Sequence, residues 1–149
     1  MSGIYLIVWD EGNEQWGRIL QPTKGGWPHL TLAYTGKHLN REELIPMAND
    51  ALQEWALKPM TLKFAYVNSF GDRPGHVRHD VLIGIKECKQ IEETRKKLFF
   101  EHEKKDLFFM REPHVTIGIY ENVEEAQLRA TEVNKLLPYQ ILITGVTVD

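Results

Sequence analysis

Two kinds of hydrophobic pattern run along this chain. Short stretches that are continuously apolar, or that alternate between apolar and polar residues, are typical of strands, and apolar residues three or four apart are typical of helices. The short stretches predict strands over residues 4–9, 29–35, 61–67, 79–86, 113–120 and 139–148. The helical spacing predicts helices that begin near residues 41, 89 and 122, the second extending to about residue 104, and turn-rich segments cover residues 11–26 and 70–76.

Polar residues and prolines mark the ends of these helices. Asn40 with Glu43, and Asn122 with Glu125, have the spacing of a capping box at a helix N-terminus. Pro59 ends the first helix, because proline has no backbone N–H to donate. Strands and helices are mixed without strict alternation, which favours an α+β fold.

The composition is that of an ordinary globular domain. The chain has 149 residues, of which 42% are hydrophobic, and a net charge of −3. This length predicts one domain over residues 1–149, and this charge argues against a dedicated binder of long nucleic acid, which would present a basic face. Cys88 is the only cysteine, so we expect no disulfide framework and no clustered thiolate metal site. We find no signal-peptide or membrane-span pattern and expect a cytoplasmic protein.

One short phrase occurs twice. Pro-His-Leu-Thr-Leu at residues 28–32 is matched by Pro-His-Val-Thr-Ile at residues 113–117, with His29 and His114 spaced 85 positions apart. We call each an H-x-T motif. The pattern His-apolar-Thr-apolar arises by chance in roughly one chain in thirty of this length, and two copies of it in fewer than about one in a thousand. A lone histidine on a strand is more often structural, but the repetition favours catalysis and a pseudo-two-fold fold.

Strand geometry puts the histidine and threonine of each motif on one face. Side chains alternate along a strand, so His29 and Thr31 share a face, as do His114 and Thr116, while the apolar residues between them face the core. Two histidines across a groove suit acid–base chemistry, because one can accept a proton while the other donates one. Threonine hydroxyls can donate hydrogen bonds to phosphoryl oxygens. Such a site needs no metal.

The doublet resembles the paired motifs of the 2H phosphoesterases, also called LigT-like proteins. The resemblance implies that His29 and His114 are catalytic, and that Thr31 and Thr116 hold the phosphate. It implies an α+β, bilobal, pseudo-two-fold fold with two antiparallel sheets around a central groove and helices outside. It also implies metal-independent attack on nucleotide phosphodiesters or 2′,3′-cyclic phosphates, without a cofactor.

The compact chain is similar to viral members of that family, which destroy cyclic-dinucleotide messengers of host immunity. This resemblance implies a short nucleotide substrate, such as 2′,3′-cGAMP or a 2′,5′-linked oligonucleotide, and immune evasion in the host cytosol. It implies no long nucleic acid, no membrane and no obligate protein partner. The alternatives are a 2′,3′-cyclic phosphodiesterase that processes RNA ends and a non-catalytic nucleotide-binding module. A zinc site is a further alternative, although no H-E-x-x-H motif or cysteine cluster is present.

Three aromatic residues are candidates for stacking on a base. Side chains an even number of positions apart share a strand face. Trp27 would therefore share the face of His29 if that strand extends further towards the N-terminus, and Tyr120 would share the face of His114. Tyr5 lies on the first predicted strand. Base stacking on such rings stabilises binding by about 1–3 kcal/mol, but core packing is the commoner role of any single aromatic residue.

A cationic loop provides the last candidate for substrate binding, Arg78. Arg73, His76 and His79 surround it in a segment that contains glycine and proline. The sequence fits two interpretations equally, a cationic lip at the edge of the groove and a solvated hairpin.

Overall fold

The computed structural model of the protein describes residues 2–8, 28–36, 40–56, 58–98 and 112–148. Trp27 and the part of the second helix predicted beyond residue 98 lie outside these ranges. The turn-rich segment predicted over residues 11–26 also lies outside them.

Within the described ranges, six strands and three helices follow the predicted order. The strands are β1 (Ser2–Val8), β2 (His29–Gly36), β3 (Pro59–Arg73), β4 (His76–Ile85), β5 (His114–Tyr120) and β6 (Tyr139–Val148). The helices are α1 (Arg41–Trp55), α2 (Cys88–Leu98) and α3 (Val123–Asn134). In this part of the chain, no helix is both long and apolar enough to cross a membrane.

Side-chain caps begin helices α1 and α3, as predicted. The side chain of Asn40 accepts a hydrogen bond from the backbone N–H of Glu43 at 2.9 Å. The side chain of Asn122 accepts from the N–H groups of Glu124 and Glu125 at 2.9 and 3.1 Å. Each cap satisfies N–H groups that have no partner within the first helical turn. The caps therefore fix where the helix that follows each H-x-T strand begins.

Strands β3 and β4 form a hairpin that is longer than the pattern predicts. Their pairing continues to Arg73 and His76, so only Pro74 and Gly75 form the turn. Gly75 has a φ of +75°, a left-handed conformation that glycine adopts without strain. The prediction of a loop over residues 70–76 is therefore wrong, because the glycine and proline at the tip leave the flanking residues free to pair.

All six strands pair antiparallel in one closed ring, in the order β1–β2–β5–β4–β3–β6. Extended ladders join β6, β1 and β2 into a first half, and β3, β4 and β5 into a second half. Two short seams connect the halves: Leu30 pairs with Val115, and residues 59–62 pair with residues 139–142. The α+β fold with antiparallel strands is confirmed. The two expected sheets are joined edge to edge, because the outer strands of each half pair with those of the other.

One face of the ring carries the hydrophobic core and the helices. Helix α1 packs on β6 and β1, α3 packs on β3, β4 and β5, and α2 packs on α1 and β2. The core under them includes the fully buried side chains of Leu6, Leu30, Leu62, Ile83 and Val115. Because the helices cover this face from outside, the opposite face of each strand lines the inside of the ring, and we call it the inner face.

Candidate active site

The two H-x-T motifs lie side by side on neighbouring strands. Leu30 of β2 and Val115 of β5 pair at the seam, and both are fully buried. Because the strands are antiparallel, His29 lies level with the threonine of the second motif, and His114 lies level with the threonine of the first. All four side chains are half-buried on the inner face, as the alternation predicts. The two histidines are therefore diagonal neighbours across the seam.

A β-bulge follows directly after the first motif. Tyr5 of β1 pairs with Thr31, but Ile4 pairs with Ala33, so Leu32 is an extra residue on β2. Bulges bend a strand, re-aim its side chains and occur often beside active sites. This bulge therefore sets the direction of the backbone next to Thr31.

Strand β5 has a bulge at the equivalent place. Leu82 of β4 pairs with Thr116, and Val81 pairs with Gly118, so Ile117 is the extra residue. In both strands the extra residue comes directly after the threonine of the motif. The two motifs therefore share backbone geometry as well as sequence, which supports the pseudo-two-fold relation between the halves.

A backbone carbonyl group orients His114. The Nδ1 atom of the imidazole lies 2.9 Å from the carbonyl oxygen of Glu112. A carbonyl oxygen only accepts hydrogen bonds, so Nδ1 carries the proton, and Nε2 carries the lone pair of the neutral ring. Nε2 is therefore the atom through which His114 can accept a proton as a base or donate one as an acid.

An aromatic ring contacts His29. The ring of Tyr5 meets the imidazole edge to face, with centroids 5.1 Å apart and planes inclined by 75°, an arrangement that aromatic pairs favour. Tyr5 pairs with Thr31 across the strands and so shares the inner face with the motif. The structure therefore places Tyr5 beside His29. Because Tyr5 is only 8% exposed, its ring is better placed to orient His29 than to stack on a base.

Tyr120 does not lie on the same strand face as His114, so the prediction made from the alternation of side chains is wrong for this residue. The bulge at Ile117 reverses the alternation, so Gly118 pairs with core-facing Val81, and Tyr120 lies on the same side as Gly118. The Tyr120 ring packs over that glycine and against the core. The alternation of side chains does not predict the face of Tyr120, because the bulge inserts one extra residue between His114 and Tyr120.

Arg78 lies far from the two motifs. It is six residues along β4 from Gly84, which pairs with His114, so the separation is about 20 Å. Its guanidinium donates two hydrogen bonds to the carboxylate of Asp80, at 2.9 and 2.7 Å, and lies 4.6 Å from the ring centroid of Phe70. The structure does not bring Arg78 to the site, and the neighbouring carboxylate offsets its charge.

Two histidines of the predicted cationic loop are also bound by neighbours. His76 contacts the carboxylate of Asp72 and, at 3.4 Å, that of Glu121. The hydrogen bond to Asp72, followed by the one to Glu121, raises the pKa of His76, and the contact with His76 lowers the pKa of Asp72. His79 Nδ1 lies 2.5 Å from the hydroxyl of Ser69. These contacts favour a structural hairpin over a cationic lip.

An aromatic pair on β3 lies beside the second motif, and the sequence pattern did not predict its role. Phe64 and Tyr66 pair with two β4 residues that in turn pair with His114 and Thr116. The two rings lie 5.3 Å apart, inclined by 37°, and Phe64 is 46% exposed. Gly84, between Phe64 and His114, leaves room for the phenyl ring. The alternation Phe-Ala-Tyr in the sequence indicates that the two rings share a strand face. Only the pairing of β3, β4 and β5 shows that this face is the one that carries the second motif.

The described residues contain no set of ligands that would support the alternative of a zinc site. Within those ranges, no group of three or more histidine, cysteine, aspartate or glutamate side chains is arranged to hold a metal ion. The effect of a chelator on activity stays a prediction.

Three comparisons with known proteins bear on the fold and the enzyme class. A family model described as the 2′-5′ RNA ligase superfamily matches residues 18–148. The structure of Kluyveromyces marxianus Usb1 with uridine monophosphate is similar at a TM-score of 0.53 and 12% identity, over 99% of this chain and 96% of that chain. Another structure of Kluyveromyces marxianus Usb1 has a TM-score of 0.48 at the same identity and coverage. No curated protein matches the chain significantly by sequence.

The family match and the structural likeness answer different questions. At 12% identity the likeness to the Usb1 structure with uridine monophosphate bears on the fold alone, and it confirms the LigT-like fold. The family match covers both H-x-T motifs and supports the predicted enzyme class, a phosphoesterase of the 2H type. Neither comparison names a virus or a cyclic dinucleotide, so the viral role and that substrate stay predictions. The chain belongs to the 2′-5′ RNA ligase superfamily, the LigT-like 2H phosphoesterases.

Proposed function

We propose that this chain is a phosphodiesterase that cleaves short nucleotides by general acid–base catalysis, with His29 and His114 as proton acceptor and donor. The proposed substrates are cyclic dinucleotides, such as 2′,3′-cGAMP, or 2′,5′-linked oligonucleotides. One observation carries the proposal. The antiparallel alignment of the two H-x-T motifs puts an imidazole and a hydroxyl from each strand on the same solvent-accessible face.

In the proposed reaction, a ribose hydroxyl of the substrate attacks the adjacent phosphorus. One histidine accepts the proton of this hydroxyl as the new O–P bond forms, and the other donates a proton to the 5′ oxygen as its bond to phosphorus breaks. The products are a 2′,3′-cyclic phosphate and a free 5′ hydroxyl. Thr31 and Thr116 donate hydrogen bonds to the non-bridging oxygens, where negative charge develops. The attacking hydroxyl is already held beside the phosphorus, an advantage that water lacks.

Either histidine is able to act as the base. The antiparallel alignment gives the two histidines equivalent surroundings, because each lies opposite the threonine of the other motif. Because the Nδ1 proton of His114 is donated to the Glu112 carbonyl, this residue acts through Nε2 in either role. A substrate that binds in one orientation would assign the base and the acid, and its reversed orientation would exchange them.

The aromatic pair supports a nucleotide as the substrate. The exposed ring of Phe64 lies two strands away from His114, on the same face, and stacking of a base on such a ring stabilises binding by about 1–3 kcal/mol. The net charge of −3 disfavours a long polyanion, whose binding depends on many phosphate contacts. The Usb1 structure of similar fold contains a nucleotide, uridine monophosphate.

The proposal extends to the cellular setting. It describes a cytosolic enzyme that needs no cofactor and no obligate protein partner, and whose role is immune evasion by a virus. This setting rests on the resemblance of the chain to viral family members. The purified chain alone should therefore be active, with the chelator EDTA present.

A substrate panel tests the proposed function. We would incubate the purified chain with cyclic dinucleotides, 2′,5′-oligoadenylate and a 2′,3′-cyclic mononucleotide, and use the His29→Ala/His114→Ala variant as the control. We expect turnover of a cyclic dinucleotide or of 2′,5′-oligoadenylate by the wild type only. Turnover of the cyclic mononucleotide alone would favour RNA-end processing, and binding without turnover would favour a nucleotide-binding module.

A matched pair of substrates tests the nucleophile. One substrate keeps the hydroxyl next to the cleaved linkage, and the other has hydrogen in its place. We expect similar binding of both and cleavage only of the first, because the deoxy substrate has no internal nucleophile. Comparable cleavage of the deoxy substrate would show that an activated water attacks the phosphorus.

A further inference from the structure

Helix α2 places a buried arginine behind the first motif. Arg95 is 4% exposed. Its Nε donates to the carbonyl oxygen of Leu32 at 2.6 Å, and its Nη2 donates to the carbonyl oxygen of Thr31 at 2.8 Å. Arginine is seldom buried to this extent unless its donors are paired. The hydrogen bonds to two carbonyl groups of β2 therefore explain how the guanidinium is accommodated in this buried position.

The bulge explains how one guanidinium reaches two successive carbonyl groups. In a regular strand, successive carbonyl groups point to opposite edges, where one side chain cannot bind both. The extra residue Leu32 changes the local backbone, and both carbonyl oxygens accept from the planar fork of Arg95. Arg95 therefore stabilises the bulged form of β2 at the position of Thr31.

We propose that Arg95 is a positioning residue, which fixes the backbone at Thr31 so that the threonine hydroxyl points at the phosphoryl group. The proposal rests on the proposed function, since it takes Thr31 as a donor to the phosphoryl oxygens. Such a donor acts mainly on the transition state, where its direction and distance matter most. Arg95 itself contacts the strand from behind and does not touch the substrate.

Three variants on helix α2 test this role. Arg95→Met removes both hydrogen bonds, Arg95→Lys keeps the charge without the planar fork, and Lys96→Met removes an exposed charge as the control. For Arg95→Met we expect kcat to fall by up to about 100-fold, and no further than in Thr31→Ala, with KM nearly unchanged, because a small displacement of a catalytic group has an effect of this size. We expect a smaller loss, about tenfold, for Arg95→Lys and none for the control.

Two measurements distinguish positioning from a general contribution to stability. In a Thr31→Ala background, Arg95→Lys should lower kcat no further, because the group that it positions is gone. In NMR spectra, which require no activity, the amide signals of residues 30–33 should shift in both Arg95 variants, while those of β5 stay in place. Lys96→Met should shift neither set.

Several results would overturn the proposal. In kinetics, these are a wild-type kcat in Arg95→Met, or a loss of kcat in Arg95→Lys that is equally large in the wild-type and Thr31→Ala backgrounds. In the structural measurements, they are amide shifts spread over both halves, or failure of both Arg95 variants to fold. Inactivity of the wild type on the whole substrate panel would instead reject the proposed function. Amide shifts confined to β2 would still identify Arg95 as the residue that holds the bulge.

Discussion

In β2 the bulge after the motif accepts hydrogen bonds from a buried arginine, whereas in β5 the equivalent bulge is followed by a glycine beneath a tyrosine ring. Arg95 binds two carbonyl groups of the first strand. In the second strand, the ring of Tyr120 occupies the space above Gly118. The two halves share the backbone shape next to each threonine but not the side chains that stabilise it. The shared requirement is therefore the shape itself, which different contacts can supply.

The two histidines also differ in their aromatic neighbours. His29 contacts Tyr5, which is 8% exposed, while Phe64 on the side of His114 is 46% exposed. Stacking requires an accessible ring face, so we expect the second half to bind a base and the first half to orient its imidazole. The halves would then contribute equally to proton transfer and unequally to substrate binding.

Loss of either histidine should have the largest effect. We expect His29→Ala and His114→Ala each to lower kcat by about 10²–10⁴-fold, because one proton transfer loses its catalyst in each variant. The double variant should be little worse than either single one, since the two act as a unit. Steady-state kinetics measure this, with thermal unfolding as the control for folding. Near wild-type activity in one single variant would contradict the equal roles of the two halves.

The threonines should matter less than the histidines. Thr31→Ala and Thr116→Ala each remove one hydrogen bond to a charged phosphoryl group, worth about 1.5–3 kcal/mol, so kcat should fall by about 10–100-fold. Thr31→Ser and Thr116→Ser keep the hydroxyl and serve as matched controls. Similar losses in both alanine variants would support the symmetric arrangement, and wild-type kcat in either would remove that threonine from the site.

The pH dependence should show that the two histidines hold opposite protonation states. One must be neutral and the other protonated, so kcat/KM should fall on both sides of a pH optimum, by about tenfold per pH unit along each limb. EDTA should leave the profile unchanged. A single rising limb, with activity lost to EDTA and restored by zinc, would indicate a metal-bound hydroxide instead.

Substitution of the exposed aromatic residue tests the asymmetry in substrate binding. We expect Phe64→Ala to raise KM about tenfold with little change in kcat, because one stacked base is worth about 1–3 kcal/mol. Phe64→Trp, which keeps an aromatic face, is the matched control and should retain wild-type KM. An unchanged KM in Phe64→Ala would place base binding elsewhere.

The smallest effect should be on the stability of the second bulge. A Cβ at Gly118 would lie 2.6 Å from Cε2 of the Tyr120 ring, so Gly118→Ala should lower the free energy of unfolding by about 1–3 kcal/mol. Addition of Tyr120→Ala should remove most of this clash, and the two changes should be non-additive in denaturant unfolding. Additive losses would mean that the ring does not support this bulge.

Much of the local structure was predictable because it depends on neighbours in the sequence. The caps at Asn40 and Asn122 were predicted from the spacing of polar residues, and the structure confirms both. The long hairpin was not predicted, because Gly75 and its neighbouring proline are typical of loops while the pairing of their flanks depends on β4. The aromatic pair at Phe64 and Tyr66 was missed for the same reason, since its facing depends on strand order.

The sequence by itself determined the order of the elements, the family, and the face that each histidine shares with its threonine, because alternation over three residues needs no tertiary contact. Only the tertiary structure decided what lies beyond each motif. An extra residue after Thr116 reverses the alternation and turns Tyr120 towards the core, and Arg95 reaches the carbonyl group of Thr31 from a helix that is distant in sequence. Bulges and such long-range contacts depend on which strands and helices meet, and no local pattern encodes that choice.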